Sequence, residues 1–131
     1  MISFKEFLSE EIKVSRSQIQ ELEKVLDKLF SEINIDIDFR GHFIDRINDE
    51  RNNPGITIRE IRDLFRKEFV KYKEQFKNLK PNVEAMLKDI QSKINIPFLI
   101  KWDDKNKELD LIPKTIMRKA NFMTRTKTYK V

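Results

Sequence analysis

The chain has 131 residues, enough for one domain; 39% are apolar, including ten Phe, and 37% are charged, so any core must be built from narrow apolar stripes. It has no cysteine, which excludes a disulfide scaffold, a Cys-zinc site and a thiol nucleophile and fits a reducing cytoplasm, and no apolar run approaches the ~20 residues of a membrane span. The net charge of +5 is unevenly placed: residues 1–50 carry seven Lys/Arg and twelve Asp/Glu, and Ile112–Val131 carries six basic residues and no acidic one.

In chain order, Ser3 and Glu6 have capping-box spacing, and Phe4, Phe7 and Leu8 share one face of a short helix ending near Val14. Lys5, Glu6, Glu10 and Glu11 occupy the stretch that an export signal would fill with apolar residues. From Ser17 to Glu32, apolar residues recur at steps of three and four through Ile19, Leu22, Leu26, Leu29 and Phe30, which predicts an amphipathic helix. The period then changes to two. Ile33, Ile35, Ile37 and Phe39 alternate with polar residues, as in a strand with one wet face.

Arg40-Gly41 breaks this strand, and His42 to Asn52 reads as a helix with Phe43, Ile44 and Ile47 inward. Asn53-Pro54-Gly55 is a turn. Thr57 and Glu60 form a second capping box, opening a helix that runs to about Leu79 through Ile61, Leu64, Phe65, Phe69 and Phe76. A further short helix is expected over Val83–Lys93, on Val83, Met86, Leu87 and Ile90. Three strands follow, at 97–102, 108–118 and 124–131, with Pro113 at an edge or bulge because it lacks an N–H. The expected fold is α+β: N-terminal helices packed on a small antiparallel sheet formed mainly by the C-terminal third. Residues 1–14 are read as an amphipathic segment and 15–131 as a single domain.

For chemistry, the chain offers no Gly-rich phosphate loop, a single His and no evident paired set of carboxylates, so no metal site and no cofactor are expected. What remains is His42, Asp45, Arg46 and Arg51 at the strand-to-helix junction. His42 opens the helix and Arg46 lies four residues on, facing the same way. A proton-exchanging His beside a guanidinium that can fork onto phosphate suits phosphodiester chemistry, and an RNA 2′-OH can attack its own phosphorus without metal. A surface or capping His is the plainer reading of the same residues. The basic C-terminal stretch, with Lys114, Lys119, Arg125 and Lys127, suits a polyanion such as RNA, DNA or anionic lipid, or is a solvated Lys-rich surface.

The stretch IDIDFRGHFIDRINDERNNPGITIREIRDLFRKEF resembles the strand, His-x-x-x-Arg helix and following helix of RelE/barnase-type ribonucleases. His42, Asp45 and Arg46 are similar to a segment of the early-mRNA endoribonucleases of T-even-type phages. The segment NIPFLIKWDDKNKELDLIPKTIMRKANF resembles the remaining strands of small phage members of that group, with Lys114, Thr115 and Arg118 in their Lys-Thr-x-x-x-Arg pattern. The resemblance implies a metal-independent endoribonuclease acting on mRNA in the host cytoplasm. His42 would be base or acid, Arg46 and Arg118 phosphate ligands, and Thr115 a hydrogen-bond donor; Arg51, Lys114, Lys119, Arg125 and Lys127 would add contacts to RNA. The chain departs from a two-histidine pattern, since it has no second His.

MISFKEFLSE is similar to the capsid-targeting peptides of the same phages, which are removed after Leu-x-Glu or Ile-x-Glu; Leu8-Ser9-Glu10 has that form. This implies processing at Glu10, a head protease and capsid as partners, and a place in the virion interior. Docking of the same helix on the domain is the alternative. Three functions therefore compete: an endoribonuclease, a non-enzymatic head-associated protein that binds nucleic acid, and an adaptor that binds a host protein.

Overall fold

A computed structural model describes residues 13–131. The expected N-terminal helix and the processing position Glu10 lie outside the described residues. Helix α1 spans Arg16–Phe30. Ser15 caps it by accepting from the Gln18 amide, while the Gln18 side chain accepts from the Ser15 amide. Its stripe of Ile19, Leu22, Leu26 and Phe30 is buried, as the periodicity required. A 3₁₀ turn, Ser31–Ile33, ends at Asn34 in the left-handed region (φ 59°), a conformation that Asn tolerates. The chain then enters strand β1, Ile35–Ile37.

Helix α2, Gly41–Ile47, is shorter than its sequence suggests. The Asp49 carboxylate accepts from the Arg51 amide and the Asp49 carbonyl from the Asn52 amide, so this stretch turns instead of continuing the helix. Phe43 and Ile47 are buried and Ile44 is half-buried. Helix α3, Ile58–Phe76, opens on the expected Thr57/Glu60 capping box and buries Ile61, Leu64, Phe65, Phe69 and Phe76.

Strands β2 (Glu84–Asp89), β3 (Ile94–Asp103), β4 (Glu108–Pro113), β5 (Met117–Arg118) and β6 (Lys127–Lys130) complete the chain. The sheet runs β1-β4-β3-β2-β6, with β5 beside β3. Its centre, β2-β3-β4, is antiparallel, and both outer pairings, β1 with β4 and β6 with β2, are parallel. The fold is α+β, with the helices early in the chain and most of the sheet late.

Besides α2, two elements differ from the sequence reading, and the sheet is mixed where an antiparallel one was expected. Residues 84–89 form a strand where a helix was expected, and Ile90 is 62% exposed instead of inward. Alanine, methionine and leucine favour helix locally, but β2 is hydrogen-bonded between β3 and β6 and buries Ala85, Met86 and Leu87, and this tertiary pairing overrides propensity. The strand expected over 108–118 is two. Pro113 ends β4 opposite Phe98, and after Lys114–Ile116 the chain rejoins the same long strand at Asn95 and Ile94 as β5.

Helix α1 packs on β1 and α3, and α3 on β2 and β6. Phe30 sits at the centre of the core, with its ring centroid 5.2 Å from Phe69 and 6.1 Å from Phe65, both edge-on. Truncating such a fully buried ring to Ala costs about 3–5 kcal/mol. The free edge of β1 is closed by α1: Asp27 accepts from the Ile37 amide (2.7 Å) and Glu23 from the Phe39 amide (2.9 Å). Carboxylates thus satisfy edge amides that would otherwise invite another strand. Among the described residues no helix is long and apolar enough to cross a membrane.

Candidate nucleic-acid interface

The turn after α2 and the strand β5 meet at Asn52, which is 8% exposed. Its Nδ2 donates to the Arg46 carbonyl (2.9 Å) and its Oδ1 accepts from the Arg118 amide (2.9 Å). One buried amide side chain therefore holds the end of α2 against β5, satisfying a backbone group on each. Around this joint lies a depression of about 490 Å³, a ligand-pocket size. Arg46, Asp49 and Arg51 line one side; Thr115, Ile116, Met117, Arg118, Lys119 and Phe122 line the other.

Four cationic residues and one carboxylate face this space. The carboxylate, Asp49, is paired with Arg51 (2.8 Å). Hydrogen bonds from the Arg51 guanidinium and amide pull Asp49 down to about 2, so it stays charged beside Arg51. Arg46 and Lys119 are exposed.

Arg118 is engaged differently from the phosphate ligand implied by the resemblance. Its guanidinium donates to the carbonyls of Pro54 (2.9 Å), Ser92 (2.7 Å) and Gly55 (3.0 Å) and to Glu60 (2.8 Å), and its side chain is 10% exposed. These bonds tie β5 to the start of α3 and to the β2–β3 turn. Burial raises the Glu60 carboxyl, but the bonds from Arg118 and the Thr57 amide outweigh it and hold Glu60 below its ordinary value. The Arg118 charge is thereby neutralised inside the protein.

The other candidate residues separate. His42 is exposed on α2 and does not line the depression. Lys114 pairs with Glu84 (2.9 Å), while Arg125 and Lys127 are exposed toward β6, with the Lys127 ammonium 5.8 Å from the Tyr129 ring centroid. The structure thus gathers Arg46, Arg51, Thr115, Arg118 and Lys119 in one place and leaves His42, Lys114, Arg125 and Lys127 outside it. Asn52 and Phe122 belong to the site and carried no sequence signal beyond their residue types.

A carboxylate set missed in the sequence lies on the same flank of β3 as β5, toward the other end of that strand. Asp36 on β1 pairs in register with Asp110 on β4, and with Glu108 they bring three carboxylate oxygens within 4.8 Å of one another. Such oxygens are the donor type a hard divalent cation takes. Burial, followed by repulsion from Asp36, Asp103, Asp38 and Glu108, pushes Asp110 up to about 6, and one Asp110 oxygen is buried without a hydrogen-bond partner. Asp27 is pushed to about 7 by burial and by its contacts with Asp36 and Glu23, against the pull of the Ile37 amide. Alternation alone placed Asp36 and Asp38 on one side of a strand; only the parallel β1–β4 pairing set them beside Glu108 and Asp110.

No family model, curated protein or solved structure matches this chain.

Proposed function

We propose that the protein binds RNA through the depression between α2 and β5, with Arg46 and Lys119 on phosphates and Thr115 as a hydroxyl donor, Arg51 being paired with Asp49. The observation that carries this reading is the convergence of cationic side chains from separate elements on one concave surface whose single carboxylate is already paired. Electrostatic attraction to a phosphate chain needs no more than this, and it makes affinity depend on salt. The acidic β1–β4 edge lies toward the other end of β3 from β5 and would repel the same ligand, orienting the protein on it. Fluorescence anisotropy with an end-labelled RNA oligomer, from about 50 to 200 mM salt, tests the reading. Affinity is expected to fall linearly on logarithmic axes; no binding at low salt would overturn it.

The second reading is a metal-independent endoribonuclease, favoured by Arg46 and Thr115 sharing the depression while His42 sits one helical turn from Arg46. In it, His42 takes the 2′-OH proton and the 2′-oxygen bonds to phosphorus to give a 2′,3′-cyclic phosphate. The P–O5′ bond breaks with water protonating the departing 5′-oxygen, and the cationic residues stabilise the phosphoryl oxygens as charge develops. Cleavage that persists in EDTA and stops on a 2′-deoxy substrate would support it. Intact RNA after prolonged incubation leaves binding as the function.

A further inference from the structure

Phe122 is the exception among the described phenylalanines. Of the eight described Phe residues, Phe30, Phe43, Phe65, Phe69, Phe76 and Phe98 belong to the core cluster, and Phe39 packs against it. Phe122 does neither and pairs with no other described ring. It is half-buried in the segment between β5 and β6, with Met123 beside it 86% exposed. Core formation does not account for a ring in this position.

The same ring lines two depressions. One is the Arg46/Lys119 site; the other, about 450 Å³, is bounded by Lys88, Asn121, Met123, Thr128 and Lys130 and has no carboxylate in its lining. The segment carrying the ring is held in place from beneath. The Lys88 ammonium donates to the carbonyls of Ala120 (3.3 Å) and Phe122 (3.2 Å) and to Asn95 Oδ1 (3.0 Å), and Asn95 Nδ2 donates to the Lys119 carbonyl (2.8 Å). Lys88 is thus a strut, leaving Lys130 exposed on one side and Lys119 and Arg46 exposed on the other. A backbone segment held in place before binding loses little entropy when a ligand settles on it.

We infer that Phe122 is a base-stacking ridge between two phosphate subsites, so that the ligand is a single-stranded polynucleotide crossing the 119–124 segment. Every base has a π-face, and an unpaired base presents it; in a duplex those faces are occupied by neighbours. Lys119 and Lys130 supply the charge on each side of the ridge. This inference rests on the nucleic-acid reading above and adds the strandedness of the ligand and the second subsite.

The test compares labelled oligo(rU), oligo(dT) and an RNA hairpin of equal length by anisotropy, with the wild type, Phe122→Ala, Phe122→Leu and Lys130→Gln. Phe122→Leu keeps apolar bulk without the ring and guards against a folding defect, which circular dichroism checks. Both Phe122 variants should bind the single strands about 5- to 100-fold more weakly, as expected for losing one stacked base, with an unchanged salt slope. Lys130→Gln should flatten that slope, and the hairpin should bind more weakly than either single strand. The oligo(rU) and oligo(dT) arms separate RNA from DNA: equal affinities assign recognition to the stacking and phosphate contacts that both share, and tighter oligo(rU) adds the 2′-OH. Wild-type affinity in Phe122→Leu, or a hairpin bound as tightly as single strands, overturns the ridge while the nucleic-acid reading stands. Failure of the wild type to bind any of the three overturns both.

Discussion

Arg118 donates to Glu60 at 2.8 Å, and Glu60 accepts from the Thr57 amide at the start of α3 (3.0 Å). A two-residue strand thereby fastens the first turn of the longest helix. Because the remaining guanidinium donors go to three backbone carbonyls, Arg118→Ala should destabilise the fold by roughly 3 kcal/mol. Arg118→Lys should recover little, since a single ammonium cannot reach divergent acceptors. Urea unfolding with an unchanged m-value measures both; an Arg118→Ala midpoint equal to wild type would show that the clamp is idle.

Glu68 is fully buried on α3, and neither of its oxygens has a partner at hydrogen-bonding geometry. Burial pushes its carboxyl up to about 9; the Lys88 amide and the ammonium groups of Lys71 and Lys67 offset this only in part. A folded value above the unfolded one means that the stabilising contribution is complete below about pH 4.5 and is lost as pH rises toward 9. Glu68→Met should therefore raise stability at pH 8 by about 1–3 kcal/mol and remove this component of the pH dependence. Melting temperatures across pH 5–9 read it out; a variant that melts lower than wild type at pH 8 would refute the account.

Asp110 follows the same sign for a different reason, repulsion within the acidic edge as well as burial. Its contribution is complete below about pH 3.8 and is lost as pH rises through about 6. Asp110→Asn should stabilise the protein above pH 6 and leave it nearly unchanged at pH 4. A variant equally destabilised at both values would instead show that the carboxylate makes a needed contact.

Within the proposed RNA site, Arg46→Ala and Lys119→Gln should each weaken binding at all sequences. Each should reduce the salt slope by about 0.7 for a single-stranded ligand, without loss of thermal stability, because both side chains are exposed. Arg118→Gln should leave the slope unchanged wherever the protein remains folded, since its charge is already spent on Glu60. A slope that responds to Arg118 but not to Arg46 would move the phosphate contact deeper than proposed.

His42→Ala separates binding from cleavage. On the endoribonuclease reading it should lower the cleavage rate about 10²–10⁴-fold with RNA affinity nearly unchanged. On the binding reading no rate exists to lose, and affinity shifts only slightly because His42 lies outside the depression. Metal-independent cleavage that survives the substitution would exclude His42 as the proton-transferring group.

The sequence by itself determined the local elements whose signals are short-range. A 3.6-residue stripe set α1, the same period with a capping box set α3, and a two-residue alternation set β1. Backbone geometry imposes these periods whatever surrounds the chain. It also showed that cationic residues cluster late, and it singled out His42, Arg46, Thr115 and Arg118, of which the structure leaves His42 outside the depression. The tertiary structure decided everything that depends on long-range pairing. It made a strand of 84–89 by placing it between two others. It turned Arg118 inward by surrounding it with Glu60 and three carbonyls, and it brought Asp36 beside Glu108 and Asp110 across a parallel pair of strands. It left Phe122 as the one described phenylalanine with no place in the core. A residue's type states what it can bond; which partner comes within about 3 Å is fixed by hydrogen bonds and burial between segments many tens of residues apart.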